Sequence, residues 1–469
     1  MRVLVVGGGA REHAIAQALV ASEAEVVAAT PIPNPGLQRL STAIALVSPE
    51  DPEAVVRVAR AHSVDLAVIG PEGPLGAGVS DALRIAEVPV VGPSKAAAQI
   101  ETSKEYCRTL LARHGVPGSP KFAAVHAIEE VDRAAAAFVE ARFVVKPIGL
   151  FAGKGVWVGG VDFLTHDEGV AYAKRLLATG ASGVVLEEKL EGEEFSLMAF
   201  VTDSGIYPMP AVQDYKRALE GDLGPNTGGM GSYSQRDHLL PFLSRANYDS
   251  ALAILSKTVE AVRSEGLGYR GILYGGFMMT ANGPSLVEFN ARFGDPEAMN
   301  VLSLYEPGDF GELLRGVATG RVDPNLVRFR RRATVVKYLV PPGYGTAPKA
   351  GGDLELDEPR IEATGVHVFF GQVEPAGPGR FTGGTSRSLA LVGEASAIAE
   401  ASRRVDEALA FAKGAYYVRR DIGSAKDVTK RTEHLRTLLA PGAKPSPLPL
   451  SVAPPAAPPS SAAGPDQVL

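Results

Sequence analysis

From Leu286 to Phe293 polar and apolar residues alternate. Leu286, Glu288, Asn290 and Arg292 fall on one face of an extended segment, and Val287, Phe289, Ala291 and Phe293 on the other. One face therefore carries a carboxylate, an amide oxygen and a guanidinium, while the other is apolar. Two hard oxygen donors beside a cation suit Mg²⁺ with a phosphate on it, and the arginine can hold a second anion. Taken alone, such an alternation is more often an edge strand with a solvated polar face. Its company elsewhere in the chain changes that weighting.

At the start of the chain the pattern is different. Val3 to Val6 is a short, wholly apolar strand, followed by Gly7-Gly8-Gly9 and a helical run from Ala10 to Leu19. Strand, glycine turn and helix aim free backbone N–H groups at an anion. Glu12 stands where a dinucleotide fingerprint has its third glycine, which argues against a close pyrophosphate. A lone phosphate beside Arg11 and a merely structural βα unit both remain open. Strands follow at Val26–Thr30, Asp65–Ile69 and Val88–Val91, with helices at Pro52–Ala61 and Val79–Ala86. Pro33–Gly36 and Gly70–Leu75 read as loops. This alternation predicts a parallel sheet whose loops near Gly8, Asn34 and Glu72 converge on one crevice. The unit ends near residue 100.

Ser103 and Lys104 open the next helix; by itself Lys104 reads as a solvated lysine. Lys146 closes an apolar run, Phe143–Pro147, and leads into a glycine-rich loop with a second lysine, Lys154. The loop lacks the Walker spacing, but two lysines flanking glycines favour a phosphate under a mobile cover. Val184–Leu190 is a strand running into Glu191–Ser196, an acidic turn able to accept from ribose hydroxyls. Gln213–Arg217 precedes Gly224–Gly231, whose four glycines predict irregular backbone held close to something. Strand-like runs at 333–345 and 366–420 and one helix, Ala395–Lys413, make a small α+β unit. From Pro441 to the end, nine prolines in 29 residues cannot bury a core.

Composition narrows the field without choosing within it. A chain of 469 residues is expected to divide into two to four domains. A hydrophobic content of 45%, a charged content of 21% and a net charge of −6 describe an ordinary globular protein with no call on nucleic acid. One cysteine, Cys107, excludes an internal disulfide framework. The apolar run at the N-terminus is too short for a signal peptide or a membrane span, so a cytoplasmic protein is expected.

In order along the chain stand GGGAREHA at 7–14, GPEGPL at 70–75, KPIGLFAGKGV at 146–156, EGEEFS at 191–196, QDYKR at 213–217, GPNTGGMG at 224–231, NARFGDPE at 290–297 and YVRRDIG at 417–423. This ordered set resembles the glycinamide ribonucleotide synthetases of purine biosynthesis, within the ATP-grasp superfamily, and their archaeal branch in particular. The resemblance implies an α/β fold in four parts: a parallel αβ domain at 1–102; an ATP-grasp domain at 103–325 with a small lobe at 121–188; an α+β domain at 326–439; and a disordered tail at 440–469. It implies ATP-driven ligation of glycine to 5-phosphoribosylamine through glycyl phosphate, by a cytoplasmic monomer without nucleic-acid or membrane partners. It places Lys104, Lys146, Gly153, Lys154 and Gly155 at ATP phosphates, and Glu187, Leu190 and Glu194 at adenine and ribose. Glu288 and Asn290 would hold Mg²⁺ or Mn²⁺. Arg292, Asp214 and Lys216 would serve glycine, and Gly8, Gly9, Asn34, Glu72, Gly228 and Gly229 the substrates. Three other readings compete: an ATP-grasp carboxylase, which would not need Gly224–Gly231; a nicotinamide oxidoreductase, opposed by Glu12; and a non-catalytic nucleotide binder, opposed by Lys146, Glu288, Asn290 and Arg292.

Overall fold

A computed structural model describes residues 1–149, 155–306 and 308–440. The first unit is a five-stranded parallel sheet in the order Ser41–Leu46, Glu25–Thr30, Arg2–Val6, Leu66–Ile69, Val90–Val91. The chain winds outward from Arg2–Val6 in both directions, so a crevice opens beyond the C-terminal end of that strand. Gly7 stands there with φ +121°, and a Cβ on it would lie 2.8 Å from Glu12 Cγ and from Pro71 Cδ. Glycine is the residue that fits.

Three features of this unit depart from expectation. Ser41–Leu46 is an unexpected strand at the sheet edge, with only half-buried and exposed positions in it. Glu72–Ala77 is a short helix rather than a loop, with Glu72 in its first turn. Pro35–Leu40 is also helical, capped by Asn34, whose Oδ1 accepts from Gly36 N and Leu37 N. Prolines at the start of both segments fix φ for a first turn as well as for a loop.

Phe122–Val125, Val184–Glu188, Phe143–Pro147 and Trp157–Val158 form a small antiparallel sheet with its own apolar cluster around Phe143. The largest sheet runs Gly283–Asn290, Gly271–Thr280, Glu193–Thr202, Val212–Asp214, Gly231–Ser234, Ala333–Leu339, Leu389–Ala395, Val366–Phe370. Three of these strands come from beyond residue 326, so the C-terminal part extends the central sheet as well as building a four-stranded sheet of its own. It also packs on the first unit. The Phe370 N–H donates to His13 Nδ1 at 2.9 Å, and Asn34 Nδ2 donates to Phe370 O at 2.7 Å.

The alternating segment is an edge strand, and its register breaks once. Glu288 pairs with Gly276 and Leu286 with Phe277, leaving Val287 as a bulge. A bulge reverses side-chain sidedness, so Leu286 is fully buried instead of sharing the face of Glu288. The strand ends at Asn290 and Arg292 lies beyond it. The run at 224–231 is more regular than expected: Leu223–Asn226 pairs with Arg217–Leu219, and Gly231 opens a strand, leaving 227–230 irregular. Positive φ at Gly221 lets that hairpin turn, and Gly224, also with positive φ, falls where its register shifts. The helix expected over Ala395–Lys413 covers Ile398–Ala408, followed by a 3₁₀ turn and the strand Ala412–Gly414. The expected tail falls, from Pro441 on, outside the described residues, and so do Gly153 and Lys154.

Candidate active site

Glu288 faces the cleft with its side chain 44% exposed. Partial burial by itself would raise its pKa, but Lys216, Lys146, Lys104 and Arg292 outweigh this and hold it below the usual carboxylate value. Lys216 Nζ lies 3.8 Å from Glu288 Oε1 and 2.8 Å from Glu194 Oε2. Burial alone would weaken the Lys216 ammonium, yet Glu194 and Glu288 push its pKa well above the ordinary lysine value. Lys104 donates to Gly149 O at 2.8 Å, and burial holds its ammonium below the usual range. Lys104, Lys146, Lys216, Glu194 and Glu288 thus lie together, although they come from separate stretches of chain.

Lys146 donates to Glu187 Oε2 at 2.7 Å and to Val287 O at 3.2 Å. Arg108 grips the same carboxylate with both arms, at 2.8 and 2.9 Å, and donates to Val287 O at 2.8 Å. Burial alone would raise the Glu187 pKa; Arg108 and Lys146 instead bring it down to about 2. Both of its oxygens accept from these cations. Leu190 follows that strand half-buried, and Gly155 turns with φ +79°.

Asn290 Oδ1 accepts from Arg292 Nη2 at 2.9 Å. The Arg292 guanidinium also meets Glu101 at 3.1 Å and Glu72 at 3.3 Å. Arg292 draws the Glu72 pKa down to about 2. Burial takes Glu101 the other way, up to about 7, even though its carboxylate accepts from Ala291 N at 2.7 Å. Arg292 therefore joins the first unit to the end of the Glu288 strand.

Asp214 sits beneath the glycine loop. Gly229 has φ +105°, and a Cβ there would lie 2.9 Å from Asp214 Oδ1. That oxygen is buried and accepts no hydrogen bond within the protein. Burial first, then the neighbouring Glu297 carboxylate, raises the Asp214 pKa well above its usual value. Arg387 clamps the loop from the C-terminal part, donating to Gly228 O at 2.6 Å and to Asp295 O at 2.9 Å, and pairing with the Asp295 carboxylate at 2.9 Å.

On the other side of the cleft, Gly9 N donates to Glu12 Oε2 at 2.6 Å, and Arg11 pairs with Glu12 at 2.6 Å. The position that excludes a dinucleotide is filled by the helix's own capping carboxylate. Arg11 is buried and donates to Phe293 O at 3.2 Å. Asn34 is fully buried and donates to Gly8 O at 3.0 Å as well as to Phe370 O. It shapes the Gly8 turn; its amide is not turned to the cleft.

Glu101, Arg108, Glu297 and Arg387 are functional neighbours that sequence reasoning missed. Lys104 and Arg108 are four apart on the helix Lys104–Arg113, and that spacing could have drawn attention to Arg108; Glu101 lies on the preceding short helix Gln99–Thr102, which breaks at Ser103. For Arg387, on a loop between strands, the sequence holds no comparable signal.

A divalent cation can be tested against these donors. Among the described residues no cluster of three or more His, Cys, Asp or Glu could hold a metal alone. Glu288 offers a half-exposed carboxylate beside three lysines, and Asn290 adds a buried amide oxygen that also accepts from Arg292. Such a partial set fits Mg²⁺ or Mn²⁺ arriving with a nucleotide phosphate, which completes the shell.

Known proteins resemble this chain in sequence and in fold. Residues 1–101 match the family model described as phosphoribosylglycinamide synthetase, N domain, and residues 102–298 match its ATP-grasp (A) domain. A phosphoribosylamine–glycine ligase from Thermococcus gammatolerans is 44% identical over 438 residues, covering 93% of this chain and 98% of the relative. One from Methanothermobacter thermautotrophicus is 45% identical over 443 residues, covering 93% and 100%. The crystal structure of a phosphoribosylamine–glycine ligase from Thermotoga maritima superposes with a TM-score of 0.76 at 29% identity, covering 90% of this chain and all of the other. A biotin carboxylase from Campylobacter jejuni shares the fold at a TM-score of 0.69 and 13% identity, covering 94% and 95%.

Proposed function

The chain belongs to the phosphoribosylglycinamide synthetase family, and on that premise we propose how its cleft works. The enzyme is an ATP-grasp ligase that joins glycine to 5-phosphoribosylamine in purine biosynthesis, with ATP as co-substrate. The reading divides the chain into a phosphoribosylamine-side domain at 1–102, the ATP-grasp domain at 103–325 and the α+β domain at 326–439. No described helix is long and apolar enough to cross a membrane.

Glycine's carboxylate is a poor electrophile, because its charge repels an amine and oxide is a poor leaving group. Transfer of the γ-phosphoryl group to it gives glycyl phosphate. The amine of phosphoribosylamine then attacks the carbonyl carbon, and inorganic phosphate leaves. The residues contribute by placing charges, as phosphoryl transfer generally requires. Lys104 and Lys146 lie where negative phosphate oxygens would gather, and Glu288 and Asn290 would hold the divalent cation. Bound there, that cation would neutralise phosphate charge. Lys216 and Arg292 are cations in the neighbourhood of Glu288, suited to the glycine carboxylate. The unpartnered Oδ1 of Asp214 is an acceptor for the glycine ammonium, whose arrival would offset the desolvation of that carboxylate.

One observation supports this reading over a carboxylase: the 3.8 Å approach of Lys216 to Glu288, which brings the Gln213–Arg217 segment to the nucleotide strand. The test is ADP release in the presence of phosphoribosylamine with glycine, with bicarbonate or with neither. Release that depends on glycine is expected; release driven by bicarbonate overturns the reading.

A further inference from the structure

The last described helix, Ala425–Leu438, lies behind the segment that carries Asp214 and Lys216. Between those residues Tyr215 points the opposite way, as alternate residues of extended chain do. Its ring is 1% exposed. Two guanidinium groups flank it, with Arg431 Cζ 4.4 Å and Arg419 Cζ 5.0 Å from the ring centroid. Its hydroxyl donates to Asp427 Oδ2 at 2.6 Å.

Arg431 reaches three places at once. It donates to Asp427 one turn earlier at 2.7 Å, to Asp222 at 2.7 Å and to Glu193 at 3.3 Å. Glu193 adjoins Glu194, the partner of Lys216. Asp222 follows the Arg217–Leu219 strand and is also held by Arg419 at 3.1 Å. The segment itself is laced to the glycine loop, through Met230 N to Tyr215 O at 2.8 Å and Thr227 N to Lys216 O at 2.8 Å.

The helix sets only a narrow apolar contact on the core, through Leu435 and the half-buried Val428. Its buried residues are Asp427 and Leu435. A helix docked for core stability would bury an apolar face of three or four residues per two turns. Here the directed contacts are polar and end on segments that line the cleft.

We propose that Arg431 is a positioning residue for the glycine side of the reaction. Its planar fork fixes Tyr215 together with Asp222 and Glu193, and so sets where the Asp214 carboxylate and the Lys216 ammonium stand. A lysine can satisfy these partners one at a time but not in a fork. The proposal rests on the assignment of Asp214 and Lys216 to glycine.

The test measures KM for glycine and for ATP separately in the full-length chain, for Arg431→Met, Arg431→Lys, Tyr215→Phe and Asp214→Asn. Displacing a binding group by a fraction of its reach costs about tenfold or more. Arg431→Met is expected to raise the glycine KM by about that factor while the ATP KM stays within about twofold. Arg431→Lys and Tyr215→Phe should fall between it and wild type, and they carry the test if the methionine variant does not fold. Glycine KM unchanged in the Arg431 and Tyr215 variants but raised in Asp214→Asn overturns the positioning role and leaves the glycine assignment standing. Both KM values rising together with a lower melting temperature means a merely structural role and also overturns it. Glycine KM unchanged in Asp214→Asn removes the assignment, and the proposal with it.

Discussion

At Glu288 a half-exposed carboxylate faces three lysines, and glutamine fills the same space, so its charge can be removed without opening a cavity. Glu288→Gln should lower kcat roughly a hundredfold or more, since the charge that it contributes to the phosphate side is lost. Its melting temperature should match wild type; normal turnover at ordinary magnesium would remove Glu288 from the site. Lys146→Met keeps the stem and loses the ammonium. Charge-assisted hydrogen bonds are worth about 1.5–3 kcal/mol, which corresponds to about a ten- to hundredfold rise in the ATP KM. An unchanged ATP KM would make Lys146 a structural partner of Glu187 and nothing more. At this scale residue type and spacing put Glu288 and Asn290 on one strand, and the structure has both on Gly283–Asn290. The sequence says less where such a side chain also has partners far along the chain. Nothing in the spelling of Asn34 or Glu187 says that Phe370 and Arg108, 336 and 79 residues away, have taken their polar atoms.

At the scale of elements, one guanidinium joins the helix Lys104–Arg113 to the strands Val184–Glu188 and Gly283–Asn290. Arg108 is 2% exposed, and breaking a buried ion pair on one side costs about 3–5 kcal/mol. Arg108→Met should therefore destabilise the protein by about that amount in denaturant unfolding, and adding Glu187→Gln should recover part of the loss. A single-variant change within about 0.5 kcal/mol would mean that the pair does not join these elements. The segment from Pro441 onward should behave oppositely. Its composition offers few large apolar side chains, so its deletion should leave turnover and melting temperature unchanged, and a clear drop in either would show that it docks. Strands buried on both faces, such as Val3–Val6, were legible because burial writes itself as an unbroken apolar run. Ser41–Leu46 was not, although residues 43–47 form an unbroken apolar run, because a short run with two alanines does not by itself separate strand from helix. The bulge at Val287 was illegible for another reason: it is a property of the pairing with Gly276 and Phe277, not of the strand's own residues.

For the whole molecule the junction of first and last units turns on His13. Burial, with Arg39 nearby, lowers its pKa from 6.5 to about 3, and its neutral Nδ1 accepts the Phe370 N–H. Between pH 6.5 and 3 the unfolded chain takes up a proton that the folded chain refuses. This stabilisation is complete above pH 6.5 and is lost as the pH falls towards 3, to an extent on the order of a few kcal/mol. The melting temperature should fall across that window, and His13→Asn, which keeps an acceptor without titrating, should flatten the fall. An identical pH profile in the variant would place the acid sensitivity elsewhere. The order of domains was readable from motifs strung along the chain; how they close on one another through Arg292, Arg387 and His13 was not, because those contacts have no local sequence pattern. The chemistry that this closure serves is open to one direct measurement. If glycine is activated as glycyl phosphate, one oxygen of its carboxylate must leave with the phosphate. Glycine carrying heavy oxygen in both carboxylate positions should then give inorganic phosphate with a single label for each amide formed. Unlabelled phosphate, released while glycinamide ribonucleotide accumulates, would contradict that route and, with it, the roles of Arg292, Lys216 and Asp214 in holding glycine for phosphorylation.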